Sequence, residues 1–448
     1  MRSKLKPGMF SSRSAFRRIA FLVASSATFV FANLKQDTYN DIPAEFIAPN
    51  MADSVSTMLE RIRVGSIKLT FEPKQGYLKS VLKELGISIE SQILVFSKTS
   101  LQSNFISPLT PRALYFNDHI YVGWIPSAPV IEIIAIDPKV GPVFFTLANQ
   151  VTARPRLVRQ TMDCFQCHFS SMTGQVPGLM VRSVYAGPDG MPRFANGSFK
   201  TTATSEIKDR WGGWYVTGQH GKQRHMGNEV ARGNEQASTI DTKKGANITD
   251  LARYFDVKNY ATSNSDIVAL MVIEQQMTIQ NQITKASYLT RKAVKEAIDL
   301  LKFGFSSEHV QNQIHDRVQN ACEPLVQALL CSGEPMLTDP IKGSSGFTST
   351  FSQSSPADKS GRRLSELDLK ARLLKYPCSP MIYSSAFASL PTEAKAQVFT
   401  RFTEILDGKD QSKPYAHLTI EVRKAIKEIL HDTLPDWNQK QNGFKTIF

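Results

Sequence analysis

The segment 265–304, SDIVALMVIEQQMTIQNQITKASYLTRKAVKEAIDLLKFG, constrains the fold more than any other stretch of the chain. Its apolar residues recur at helical spacing. Ser265 or Asp266 stands where an N-cap belongs, and Gly304 follows as a stop. From about residue 264 onward the pattern is helical, so a region 264–448 is expected. Within it, SSEHVQNQIHDRVQNAC and PLVQALLC read as two further helices. Two more are expected around 364–375 and 392–407, and a last one starts near Thr419. A Ser/Gly-rich loop or linker, 342–363, interrupts the series.

The preceding region, 33–160, is mixed α/β. It holds two β-rich runs, Ile131–Ile136 and Pro142–Leu147, split by the turn signal Asp137-Pro138-Lys139. Residues 161–235 are rich in Gly and Pro and poor in periodicity. Such a stretch is either disordered or held by something other than its own apolar pattern, such as a cofactor.

The N-terminus reads as a signal peptide, 1–32. Arg2, Lys4, Lys6, Arg13, Arg17 and Arg18 precede the apolar run Ile19–Ala32, which at 14 residues is shorter than the about 20 a bilayer span needs. Cleavage near Ala32 predicts a periplasmic or otherwise extracytoplasmic protein with no stable membrane span. It would also remove six of the cations behind the formal charge of +13. The remaining basic residues are scattered, which describes a solvated surface and gives no reason to expect nucleic acid.

The five cysteines are Cys164, Cys167, Cys322, Cys331 and Cys378. Cys164 and Cys167 lie in CFQCH, which admits a zinc half-site, a thiol redox pair or a covalent haem anchor. Structural zinc takes four ligands, and no second Cys pair or His cluster has matching spacing. Cys322 and Cys331, on one helix, would stand roughly 13 Å apart, beyond the about 7 Å of a disulfide, and read as buried apolar side chains. A thioredoxin-like pair needs a βαβ setting, which 155–185 does not offer. In C-x-x-C-H both thiols add to haem vinyl groups and the adjacent His ligates iron. That attachment takes place outside the cytoplasm, in keeping with the signal segment. The expected cofactor is one haem c, held by Cys164, Cys167 and His168.

A second chemistry-bearing stretch is RWGGWYVTGQHGKQRHMGN, Arg210–Asn228. Trp211 and Trp214 suit the walls of a haem pocket, and Arg210 suits a propionate. His225 is the leading sixth iron ligand, with His220 and Met226 behind it. A glycine-rich turn with two solvated histidines is the plain alternative. His119, in FNDHIYVGW, reads as structural.

CFQCHFSSMTGQVPGLMVRSVY, RWGGWYVTGQHGKQRHMGN, YFDVKNYATSNSDIVALMVIEQQ and KYPCSPMIYSSAFASLP together resemble a family of large bacterial c-type cytochromes with a single haem motif. The resemblance runs over most of the chain after residue 32. It implies haem at Cys164, Cys167 and His168, and marks His220 and His225 as pocket residues. Members often carry a His where this chain reads Glu274-Gln275-Gln276, a departure that leaves Gln275 a poor substitute on iron.

The expected fold is therefore mostly α, with a smaller mixed α/β N-terminal part, a cytochrome c-like haem region rich in loops over 161–263, and a helical C-terminal half. The expected function is electron transfer by an exported c-type cytochrome, serving a redox partner protein or a small-molecule donor or acceptor. The alternative is a haem-dependent oxidoreductase, peroxidase- or oxidase-like, with an open distal site.

Overall fold

A computed structural model describes residues 52–152 and 154–438; the expected signal segment, 1–32, lies outside them. Two short helices, α1 (Ser54–Arg63) and α2 (Leu78–Glu84), precede six strands: β1 (Ile93–Val95), β2 (Arg112–Phe116), β3 (Ile120–Trp124), β4 (Val130–Asp137), β5 (Gly141–Ala148) and β6 (Leu157–Gln160). After the helix α3 (Met162–His168) come the paired strands β7 (Val181–Val184) and β8 (Ser198–Thr201), then β9 (Trp214–Tyr215). The main sheet has seven strands in the order β6-β5-β4-β3-β2-β1-β9, all antiparallel.

This sheet corrects the expected fold. The N-terminal half is not a small mixed part, and 161–263 is not a cytochrome c-like region standing apart from it. Strand β9, from within 161–263, completes the sheet edge by pairing with β1. Only β4 and β5 are long enough for alternation to declare itself, and they form the hairpin expected from the sequence. Its turn is closed by Asp137 Oδ1, which accepts from the backbone N–H groups of Lys139 (2.8 Å) and Val140 (3.0 Å). Strands of two to four residues such as β1, β6 and β9 carry too few side chains to show a period.

Alternation along the sheet gives two faces. Ile131, Ile133, Ala135, Phe145 and Leu147 are buried on one. The register Gly123↔Glu132, Ile134↔Phe144, Glu132↔Thr146 and Phe144↔Gln160 sets the other. Toward one end that second face is apolar: Phe116, Tyr121 and Ile136 share a core with the long helix α4 (Ile267–Lys302). Toward the β5–β6 side it carries Glu132, Thr146 and Gln160.

Helix α4 begins at its expected cap. Asp266 Oδ1 accepts from the N–H of Val268 at 2.7 Å. Every residue from Ile267 to Met277 is buried, so this end of the helix is surrounded by protein on all sides. Gly304, at φ +87°, ends the turn after it. Helix α5 (Ser307–Leu329) then runs through Pro324 without a break, merging the two helices expected there. Within 342–363, Phe347–Ser352 forms the short helix α6, with Phe347 and Phe351 buried. Residues 364–375 are not helical; Leu367 and Leu374 pair as an isolated bridge instead. Helices α7 (Thr392–Leu406) and α8 (Ile420–Thr433) stand where the spacing puts them. Apolar residues of α4, α5, α7 and α8 form one continuous core with the sheet. Among the described residues no helix is long and apolar enough to cross a membrane.

Candidate functional site

Cys164, Cys167 and His168 lie on α3, which follows directly from the edge strand β6. One helical turn separates the cysteines, so they share a face. The helix is pinned to the sheet by Phe165, which is buried and meets Phe144 edge-on at 5.8 Å between ring centres. His168 packs on the same ring, Phe144, at 4.9 Å. The three motif residues line a cavity of about 290 Å³ together with Phe144, Thr146 and Gln160 of the sheet and the loop 99–102.

His168 is oriented from behind. Its Nδ1 bonds the carbonyl oxygen of Gly178 at 2.8 Å, which assigns the proton to Nδ1 and leaves Nε2 as the free lone pair. The Gly178 N–H in turn donates to the His168 carbonyl at 2.8 Å. Asn281 of α4 holds the next residue at both ends: its Oδ1 accepts from the Leu179 N–H and its Nδ2 donates to the Leu179 carbonyl, each at 2.7 Å. A Cβ at Gly178 would come within 2.6 Å of Asn281 Oδ1, so this close approach requires glycine. The long helix thus fixes the loop that fixes the imidazole. Burial, set against the bond to Gly178, lowers the His168 pKa and keeps the ring neutral.

The cavity wall carries one ion pair, Arg112–Glu132, with the Arg112 side chain crossing over Gly123 to reach its partner. Ser100 Oγ also donates to Glu132, at 3.1 Å. Arg112 Nε is buried and has no partner among the described residues. Burial, then Glu132, Asp163 and Cys167, pushes the Cys164 thiol up to about 12. Cys164 is therefore a protonated thiol at neutral pH, unlike the activated cysteine of a redox pair. No three His, Cys, Asp or Glu side chains converge on a metal position among the described residues.

The second stretch lies elsewhere, and none of its residues lines this cavity. Arg210 and Trp211 are buried against Glu274 of α4. Arg210 Nη1 meets one carboxyl oxygen at 2.8 Å and Trp211 Nε1 donates to the other at 2.9 Å. The remaining Arg210 donors reach the carbonyls of Ser205 and Ala203. Trp214 Nε1 donates to the Arg182 carbonyl, and Met226 Sδ accepts from Ser183 Oγ. His220 is engaged at both nitrogens, by the Gln223 carbonyl and the Asn247 N–H. His225 packs between Trp211, edge-on at 5.2 Å, and His220, tilted at 4.7 Å. Its Nδ1 accepts from Gly227 N–H, and its Nε2 has no partner among the described residues.

Sequence reasoning missed Arg112, Glu132, Phe144, Gly178 and Asn281. Gly178 lies only ten positions after His168, but the other four are distant from the motif in the chain, and nothing in their local pattern marks them.

Burial, with His220 and Arg224 adding to it, holds the His225 pKa down to about 3 from an ordinary 6.5. Between those values the unfolded chain binds a proton that the folded chain does not. The contribution is complete above pH 6.5 and is lost as pH falls toward 3. Denaturant unfolding should lose on the order of 3 kcal/mol from this residue between pH 7 and pH 4. His225→Leu should flatten that part of the profile; a variant profile parallel to wild type would refute it.

The chain matches no family model, no curated protein and no solved structure.

Proposed function

We propose that this chain is an exported c-type haem protein: one haem bound through Cys164 and Cys167, with His168 as iron ligand, serving electron transfer outside the cytoplasm. One observation carries the reading. Two thiols a helical turn apart and an imidazole with its Nε2 lone pair free line the same cavity. The donor set fits the group. A neutral imidazole is the ligating form, and thioether formation consumes thiols. The cavity has an aromatic wall at Phe144. Bound there, haem supplies reversible one-electron exchange at iron. The protein's part is to orient the imidazole through Gly178 and Asn281 and to surround the group with the sheet. The partner is a redox protein or a small electron donor or acceptor.

A second reading, a haem oxidoreductase with an open distal position, is favoured by a separate observation. His220, His225 and Met226 do not line the cavity.

Expression of the full chain with a cytochrome c maturation system, followed by visible and pyridine haemochrome spectra, tests both. Haem that resists acid-acetone extraction supports attachment. A low-spin spectrum then supports electron transfer, and a high-spin spectrum that shifts with cyanide or carbon monoxide supports the oxidoreductase. Absence of haem would end the proposal. His168→Ala should leave haem attached but change its Soret position and spin state; an unaltered spectrum would remove His168 from the iron.

A further inference from the structure

Helix α4 turns a basic side outward. Between Glu274 and Glu296 it carries no acid, while Lys285, Arg291, Lys292 and Lys295 are cations. Lys285 and Lys292 are two turns apart, so they share a face and stand about 10 Å from one another along the axis. Lys292 is exposed and Lys285 half-buried. The two acids that follow are already engaged. Glu296 meets Arg317 at 2.5 Å, and Asp299 meets Lys302 at 3.2 Å.

Two more cations adjoin Lys285. Arg182 of β7 stands directly opposite Lys200 of β8, a placement of like charges that weakens a strand pair. Desolvation, and then Lys285, lower the Lys200 pKa, so helix and ribbon meet through their cations. Arg182 donates to Ser198 Oγ at 2.7 Å and lies 5.3 Å from the ring centre of Phe194, which is 58% exposed. None of Arg182, Lys200, Lys285 and Lys292 pairs with a carboxylate among the described residues. The face thus gathers four positive charges that the protein leaves unbalanced.

This face adjoins the CFQCH site. A Cβ at Gly174 would lie 3.6 Å from Lys285 Cδ. Gly174 belongs to the loop between His168 and Gly178, whose carbonyl orients the imidazole. A partner resting on Lys285 would therefore reach that loop. An exposed aromatic ring with an arginine over it, rimmed by lysines, has the make-up of a protein interface: the ring and guanidinium supply contact, and the outer charges steer the encounter.

We propose that the face formed by Arg182, Phe194, Lys200, Lys285 and Lys292 docks an acidic redox protein. The partner's redox role rests on the haem reading above; the docking of an acidic surface does not.

Two measurements separate those parts. The first is calorimetry of the haem-free chain with poly-L-glutamate. Lys200→Glu/Lys285→Glu should weaken binding about tenfold, and Lys370→Glu/Lys409→Glu, an equal change of net charge elsewhere, less than about twofold. Lys292→Glu, at an exposed helix position, should weaken it about threefold and decides the matter if the first pair disturbs the fold. Equal losses in the two double variants, or none in Lys292→Glu, would overturn the proposal. So would binding of phosphatidylglycerol vesicles or duplex DNA at about 0.15 M ionic strength that Lys200→Glu/Lys285→Glu abolishes. The second is stopped-flow reduction of the haem-loaded chain by a plant-type ferredoxin, an acidic [2Fe–2S] protein. Its rate should fall with salt and fall about tenfold in Lys200→Glu/Lys285→Glu at low salt. Reduction by hexaammineruthenium(II), a small cation, should not slow. A ferredoxin rate indifferent to the substitution would overturn the redox partner. A chain that takes up no haem would remove the redox role with the functional reading and leave docking to the calorimetry.

Discussion

The double substitution Cys164→Ala/Cys167→Ala is expected to abolish covalently bound haem altogether. A thioether needs a thiol, and these two are the only cysteines on the cavity wall among the described residues. The other three cysteines, Cys322, Cys331 and Cys378, are buried, and burial raises each of their thiol pKa values, so they offer no replacement attachment. Single substitutions should each leave one thioether and a visibly shifted pyridine haemochrome band. The double variant should give none after acid-acetone extraction. Neither side chain belongs to the apolar core, Cys164 being partly buried and Cys167 exposed, so the apoprotein should keep its helical circular dichroism. Haem retained covalently by the double variant would refute the attachment, and with it the functional reading.

The second large effect is on stability. Glu274→Ala should destabilise the fold by about 3–5 kcal/mol, the range for breaking a buried ion pair from one side. Glu274 is fully buried and takes hydrogen bonds from Arg210 and Trp211, themselves 3% and 0% exposed. Removing the carboxyl strands a guanidinium and an indole N–H and opens a void. It also releases Trp211, whose backbone sits at φ +66°, a conformation that costs about 1–3 kcal/mol unless its surroundings enforce it. Burial, against the opposing effect of Arg210 and Trp211, pushes the Glu274 pKa up to about 7. The folded chain therefore binds a proton that the unfolded chain has released, so the contribution of Glu274 to stability should decline from pH 4.5 to about 7, opposite in sign to that of His225. Glu274→Gln, which keeps an acceptor for Trp211 but cannot titrate, should remove that decline and cost less than alanine. Denaturant midpoints for both variants across this pH range check the claim; a loss below about 1 kcal/mol for Glu274→Ala would refute it.

These two sites were legible to different degrees. CFQCH is contiguous, so its chemistry stands in the sequence, and helix geometry alone puts Cys164 and Cys167 on one face. The Arg210–Asn228 stretch is contiguous too, but its residues turn to other partners. Arg210 and Trp211 face Glu274, which lies 64 and 63 positions away. A cluster of Trp, His and Met advertises a packed site without saying what it packs against. The cavity wall at Arg112, Glu132 and Phe144 comes from strand register, and no local pattern encodes register across a sheet.

By itself, the sequence determined the helix at Ile267–Lys302, the β4–β5 hairpin, the later helices α7 and α8, and the motif that the functional reading rests on. Periodicity, caps and turn residues act within a few positions, so such elements are readable one by one. Only the tertiary structure decided that short strands from residues 93 to 215 close into one seven-stranded sheet. It alone decided that Asn281 holds the loop behind His168. Those outcomes depend on contacts between segments far apart in the chain. Such contacts form where buried surface and hydrogen bonds are satisfied together, a condition that no local stretch of sequence can state.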